Sequence, residues 1–204
     1  CSVATRRINR RFQSMEKVLS SVLICMSLAL SGCGSFLTLM ESNPIEDDPG
    51  ERTLGQILED ESIETKSMVN IQASDETYNQ AHLSVVSYNG YVLIAGQVSS
   101  EANKTMATEV IRDIRGVRRI YNELEIASPS SAFTRTSDTW ITTKIKSLLL
   151  GKSDIEGARV KVVTENGIVF LMGMASQGEA NRITDTAASI SGVQRVVQLF
   201  EIVE

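Results

Sequence analysis

The chain has 204 residues, an apolar fraction of 42% and a formal net charge of −5. That length suits one ordinary domain or two small ones, with enough apolar residues for a core. A single histidine, His82, and three cysteines are a poor inventory for a metal site or for His-dependent catalysis, so neither an enzyme nor a cofactor is expected.

The first feature in chain order is an apolar run, Val18 to Leu30 (VLSSVLICMSLAL). It is shorter than the roughly 20 residues a membrane-spanning helix needs, and it suits the core of a secretory signal peptide. It leads into Leu30-Ser31-Gly32-Cys33, small residues before a cysteine, which resembles the bacterial lipobox. Residues 1–32 are therefore expected to be a signal peptide, and Cys33 the lipidated first residue of the mature protein. Met15, just ahead of Lys17, is expected to initiate translation, with residues 1–14 an over-long start. Cleavage would remove Cys1 and Cys25 and leave no thiol for a disulfide. Several acyl chains on one cysteine anchor stably where a single chain is marginal.

Residues 33–54 form the next segment. Glu41 to Arg52 (ESNPIEDDPGER) combines prolines with acids and reads as a solvated linker.

An internal repeat fills the rest, residues 55–130 and 131–204. Its first copy carries HLSVVSYNGYVLIAGQV (His82 to Val98) and its second RVKVVTENGIVFLMGMA (Arg159 to Ala175). Asn89-Gly90 aligns with Asn166-Gly167, and Gly96 with Gly173. IRGVRRIYNELEI (Ile114 to Ile126) aligns with ISGVQRVVQLFEI (Ile190 to Ile202), and IETK (Ile63 to Lys66) with ITTK (Ile141 to Lys144). Each Asn-Gly between alternating apolar runs predicts a two-residue hairpin, because both turn positions need positive φ. Gly96 and Gly173 are expected to end the second strand. A helix follows; in the second copy Ser176 is placed to cap it, and Ala180, Ile183, Ala187 and Ile190 share a face. Gly116 and Gly192 break that helix, and a last strand follows. Each unit thus reads helix, strand, strand, helix, strand: an α+β fold with two helices covering a three-stranded sheet.

Lipobox, acidic linker and paired units resemble the dual BON-domain outer-membrane lipoproteins, over nearly the whole mature chain. SDTWITTK, VKVVTENGIVFLMG and ISGVQRV carry the resemblance most specifically. It implies two tandem BON-like domains of αββαβ order and a lipid anchor in the outer membrane facing the periplasm. Gly34 after the cysteine, in place of Asp, fits that address. It also implies binding of anionic phospholipid (phosphatidylglycerol or cardiolipin) by the second domain, support of envelope integrity and accumulation at the division site.

Charge separates the two copies. From Cys33 to Ser130 there are 16 acids and 7 bases; from Ser131 to Glu204 there are 8 of each. An anionic surface repels the first half and tolerates the second, and so acidic a chain is not expected to bind nucleic acid. On the first helix of the second copy, Ile141, Ile145, Leu148 and Leu149 are expected to form the core stripe. Trp140, Lys144, Lys146 and Leu150 fall elsewhere. Tryptophan and leucine beside lysines on an outward face are the pattern of an interfacial helix, so these four are the candidate lipid-binding residues. Arg135, Arg159 and Lys161 are further cations of undetermined direction. Trp140 could instead pack against the first unit or cover an edge of its own sheet, and an envelope protein is the alternative partner. In the first copy, Ser62 takes the place of Trp140, and Asp60, Glu61 and Glu64 read as a solvated acidic face without an apolar anchor.

Overall fold

A computed structural model describes residues 51–203. The expected signal peptide and Cys33 lie outside the described residues. The first unit runs α1 (Leu54–Ser74), β1 (His82–Tyr88), β2 (Tyr91–Val98), α2 (Glu101–Arg112) and β3 (Arg119–Ile126). The second runs α3 (Ala132–Leu150), β4 (Lys161–Glu165), β5 (Ile168–Ala175), α4 (Gln177–Ala188) and β6 (Arg195–Ile202). A short 3-10 turn precedes the first strand of each, at Glu76–Gln80 and Gly157–Arg159. The αββαβ order is therefore present twice, as the repeat predicts.

Each unit holds one three-stranded sheet, ordered β1-β2-β3 and β4-β5-β6. The hairpin pair is antiparallel, and the last strand joins parallel to the middle one after its helical crossover. The Asn-Gly turns have positive φ at both positions, 51° and 75° in the first and 49° and 75° in the second. Helix starts follow their caps: Thr53 and Gln56 form a capping box on α1, and Ser100, Ser131 and Ser176 cap α2, α3 and α4.

Gly96 and Gly173 differ from expectation. They lie inside β2 and β5, two residues before each strand ends. What demands glycine at position 96 is close approach: a Cβ there would sit 2.0 Å from the His82 carbonyl oxygen.

Period-two alternation gives each sheet two apolar faces. On one face of the first sheet, Val92, Ile94, Val98 and Leu124 pack under Ile63 and Ile71 of α1 and Ala107 and Ile111 of α2. In the second sheet, Val162, Val169 and Leu171 pack under Ile141, Ile145 and Leu149 of α3 and Ile183 and Ala187 of α4. The opposite faces meet each other: Tyr88, Leu93 and Ala95 share a buried cluster with Phe170, Met172 and Leu199. The described residues thus form one compact unit, layered helices, sheet, sheet, helices.

Polar groups close the seam in near-symmetric pairs. Asn89 Nδ2 of one hairpin turn donates to Glu201 of β6 at 2.7 Å. Asn166 Nδ2 of the other donates to Glu125 of β3, the aligned residue, at 3.1 Å. The symmetry is incomplete: Arg118 adds a two-pronged contact to Glu201, and Lys161 reaches Glu64 of α1 at 2.6 Å.

Candidate functional site

Helix α3 carries the candidate residues. Its buried positions are Asp138, Ile141, Ile145 and Leu149, spaced three and four apart, which sets one face against the sheet. Trp140 lies off that face and is 55% exposed, and Leu150 is 65% exposed. Lys144 and Lys146 are also exposed, and neither has an acidic partner among the described residues. Trp140, Lys144 and Leu150 project away from the sheet, and Lys146 sits toward the flank. Leu148, expected in the core stripe, is 37% exposed instead. It stands about 80° round the helix from Trp140 and only part-way toward the buried stripe.

Trp140 is not among the residues that join the two units, whose seam is made of sheet faces. The other three cations are engaged elsewhere. Lys161 pairs with Glu64, Arg159 lies 4.0 Å from Glu51, and Arg135 donates to the Ser130 carbonyl oxygen. Lys161 thus faces an acid of the first unit, and Arg159 an acid just ahead of it.

The acidic reading of α1 needs the largest correction. Asp60 is only 2% exposed. Its carboxylate accepts from the backbone N–H of Asn89 and of Gly90, from Ser87 Oγ and from Arg52. Burial alone would raise its pKa; the bonds from Gly90, Ser87, Arg52 and Asn89 outweigh that and hold it below the ordinary carboxylate range. Asp138 is the counterpart in α3: it is 5% exposed and accepts from Asn166 N–H at 3.0 Å and Gly167 N–H at 2.9 Å. A hairpin turn leaves two N–H groups pointing at the helix, and one aspartate satisfies both. The signal in the sequence was an aspartate three residues before Ile63 and again before Ile141. Glu64 is likewise engaged, accepting from Ser87 N–H and Lys161. Nor does α1 lack exposed apolar groups: Leu54, Leu58 and Val69 are 75%, 60% and 57% exposed. The two leucines stand near the exposed acids Glu59 and Glu61, whereas the only acid in α3 is the buried Asp138.

His82 begins β1 and reaches Glu165 of the second unit at 3.3 Å. Burial pushes the Glu165 carboxyl up against the pull of His82, and nearby Asp138 adds to the rise. A groove of about 340 Å³ runs here between α3 and β1, lined by His82, Ser84, Asp138, Thr142 and Glu165 among others.

Residues 59–128 and residues 137–204 each match the family model described as BON domain. The chain belongs to the BON-domain family. The chain is 33% identical over 189 residues to the outer membrane lipoprotein DolP of Haemophilus influenzae, covering 89% of this chain and 94% of that one. It is 34% identical over 153 residues to a 21 kDa hemolysin of Actinobacillus pleuropneumoniae, covering 75% and 79%. Osmotically-inducible protein Y of Escherichia coli is 26% identical over 188 residues, covering 89% and 93%. Among the described residues, no helix is long and apolar enough to cross a membrane.

Proposed function

We propose that this BON-domain protein is an outer-membrane lipoprotein, anchored through acyl groups on Cys33 and facing the periplasm, whose second BON domain binds anionic phospholipid. Trp140 and Leu150 enter the headgroup region; Lys144 and Lys146 meet phosphates, each contributing on the order of 1 kcal/mol. The observation that carries the reading is the exposed Trp140 beside unpaired lysines on a helix with no exposed acid. The similarity to an outer membrane lipoprotein over most of both chains supports the anchor and a role in envelope integrity. Concentration at the division site would follow from local enrichment of anionic lipid such as cardiolipin or phosphatidylglycerol.

The test is binding to phosphatidylglycerol vesicles by wild type and Trp140→Glu. Wild type is expected to bind, to release as salt rises, and to lose most binding in the variant. Equal binding by both would remove Trp140 from the site. Capture of an envelope protein through the Trp140 surface, with no vesicle binding, would establish the alternative reading of an interaction module. Mass spectrometry of the membrane-extracted protein checks Cys33: a mature chain starting at an acylated Cys33 is expected.

A further inference from the structure

The most exposed large apolar side chain of the described residues is Phe133, at 86%. It stands in the first turn of α3, seven residues before Trp140. Seven residues are nearly two turns, so the two rings lie within about 20° of each other and about 10 Å apart along the axis. Both point well away from the buried stripe of Asp138, Ile141, Ile145 and Leu149.

The ground between the rings and Leu150 is unusual for a water-facing helix. Four of its hydroxyls are turned back on the helix itself. Thr136 Oγ1 donates to the Ala132 carbonyl oxygen at 2.9 Å, and Thr139 Oγ1 to that of Arg135 at 2.8 Å. Thr143 Oγ1 donates to Thr139 at 2.8 Å and Ser147 Oγ to Thr143 at 2.9 Å. Each hydroxyl proton is already placed four residues back, a pattern that lets serine and threonine leave water at reduced cost. No exposed acid interrupts the face, and Lys144 lies in it.

We infer that the docking surface is the whole outward face of α3 and not its centre alone. Phe133 is a second aromatic anchor in line with Trp140, and the helix lies flat along the headgroups of an anionic bilayer from Phe133 to Leu150. This rests on the reading of Trp140 as lipid-facing. The layered fold then directs the acid-rich α1, in the opposite outer layer, away from the same surface.

The experiment uses residues 48–204, which contain both cores and their seam, with vesicles of phosphatidylglycerol and phosphatidylcholine. The single tryptophan is moved by combining Phe133→Trp with Trp140→Phe, and in a control by combining Leu58→Trp with Trp140→Phe. A blue shift is expected on vesicles for wild type and for the probe at 133, and none for the probe at 58. Phe133→Ser is expected to weaken partitioning about fivefold with an unchanged thermal midpoint, since the ring touches no core. No shift in wild type would overturn the lipid reading itself. A shift in wild type with a silent probe at 133, or unaltered binding of Phe133→Ser, would overturn the full-length face alone.

Discussion

Helices α1 and α3 are the same element of the same repeat, and they have taken opposite uses. Both begin at a hydroxyl cap, both bury an isoleucine three residues after the aspartate (Ile63 and Ile141), and both tie down an Asn-Gly turn with that aspartate. Their outward faces differ in sign and content: α1 shows Glu59 and Glu61 near its exposed leucines, while α3 shows Phe133, Trp140 and lysines. A fold is held by its inward positions, so a duplicated unit is free to diverge on the other side. The exposed leucines of α1 show that apolar exposure alone does not make the difference. Charge around it does.

The strongest way to break the shared part is at the aspartates. Asp60→Ala strands two buried N–H groups, Ser87 and the Arg52 guanidinium, and is expected to cost about 3–5 kcal/mol. Asp138→Ala strands fewer partners and is expected to cost about 2–3 kcal/mol. Urea unfolding of both variants checks the order; an Asp138 effect equal to or larger than that of Asp60 would contradict it.

The seam offers a milder test. Glu201 accepts from both Asn89 and Arg118, while its counterpart Glu125 accepts from Asn166. Glu201→Ala is expected to lower stability by about 1 kcal/mol and Glu125→Ala by less, because these groups are partly solvated. Amide exchange along β3 and β6 reads the difference locally.

Transplanting the divergent residue sharpens the contrast on the outer face. Ser62→Trp in α1 is expected to leave stability within about 0.5 kcal/mol and to confer no vesicle binding on a Trp140→Ser background, because the acids around it remain. Vesicle binding by that double variant above that of Trp140→Ser alone would show that tryptophan suffices without its charge setting.

The smallest effect expected is pH-dependent, at Glu165. Its folded pKa is raised, chiefly by burial, so the stability it contributes is fully present below the unfolded value and is lost as pH rises through the folded one. Glu165→Gln is expected to raise the thermal midpoint slightly near pH 7–8 and to lose that advantage at about pH 4. Asp60 has the opposite sign: its pKa is lowered, so its contribution is present above its unfolded value and fades as pH falls through the folded one. A scan of midpoint against pH for wild type and both variants separates the two.

Much of the fold was legible because its signals are local. The Asn-Gly pairs, the alternating runs around them and the glycines after each second helix specify turns and strands within a few residues. The repeat then supplied each assignment twice. The outward position of Trp140 also followed from helical spacing. The role of Asp60 did not, since an acid on a helix looks solvated until the turn that it holds is brought beside it from 30 residues away. Leu148 was misplaced because helical phase alone does not give the width of the buried stripe.

The sequence by itself determined two αββαβ units, the caps and turns that bound them, and the charge contrast between their helices. Period and turn chemistry act over short spans and need no partner. Only the tertiary structure decided that the sheets lie face to face, that Asn89 and Asn166 cross the seam to Glu201 and Glu125, and that Lys161 turns toward Glu64 of the first unit and Arg159 toward Glu51 just ahead of it. Both sheet faces are apolar in both copies, and such a pattern states that a second face must be covered without stating by what.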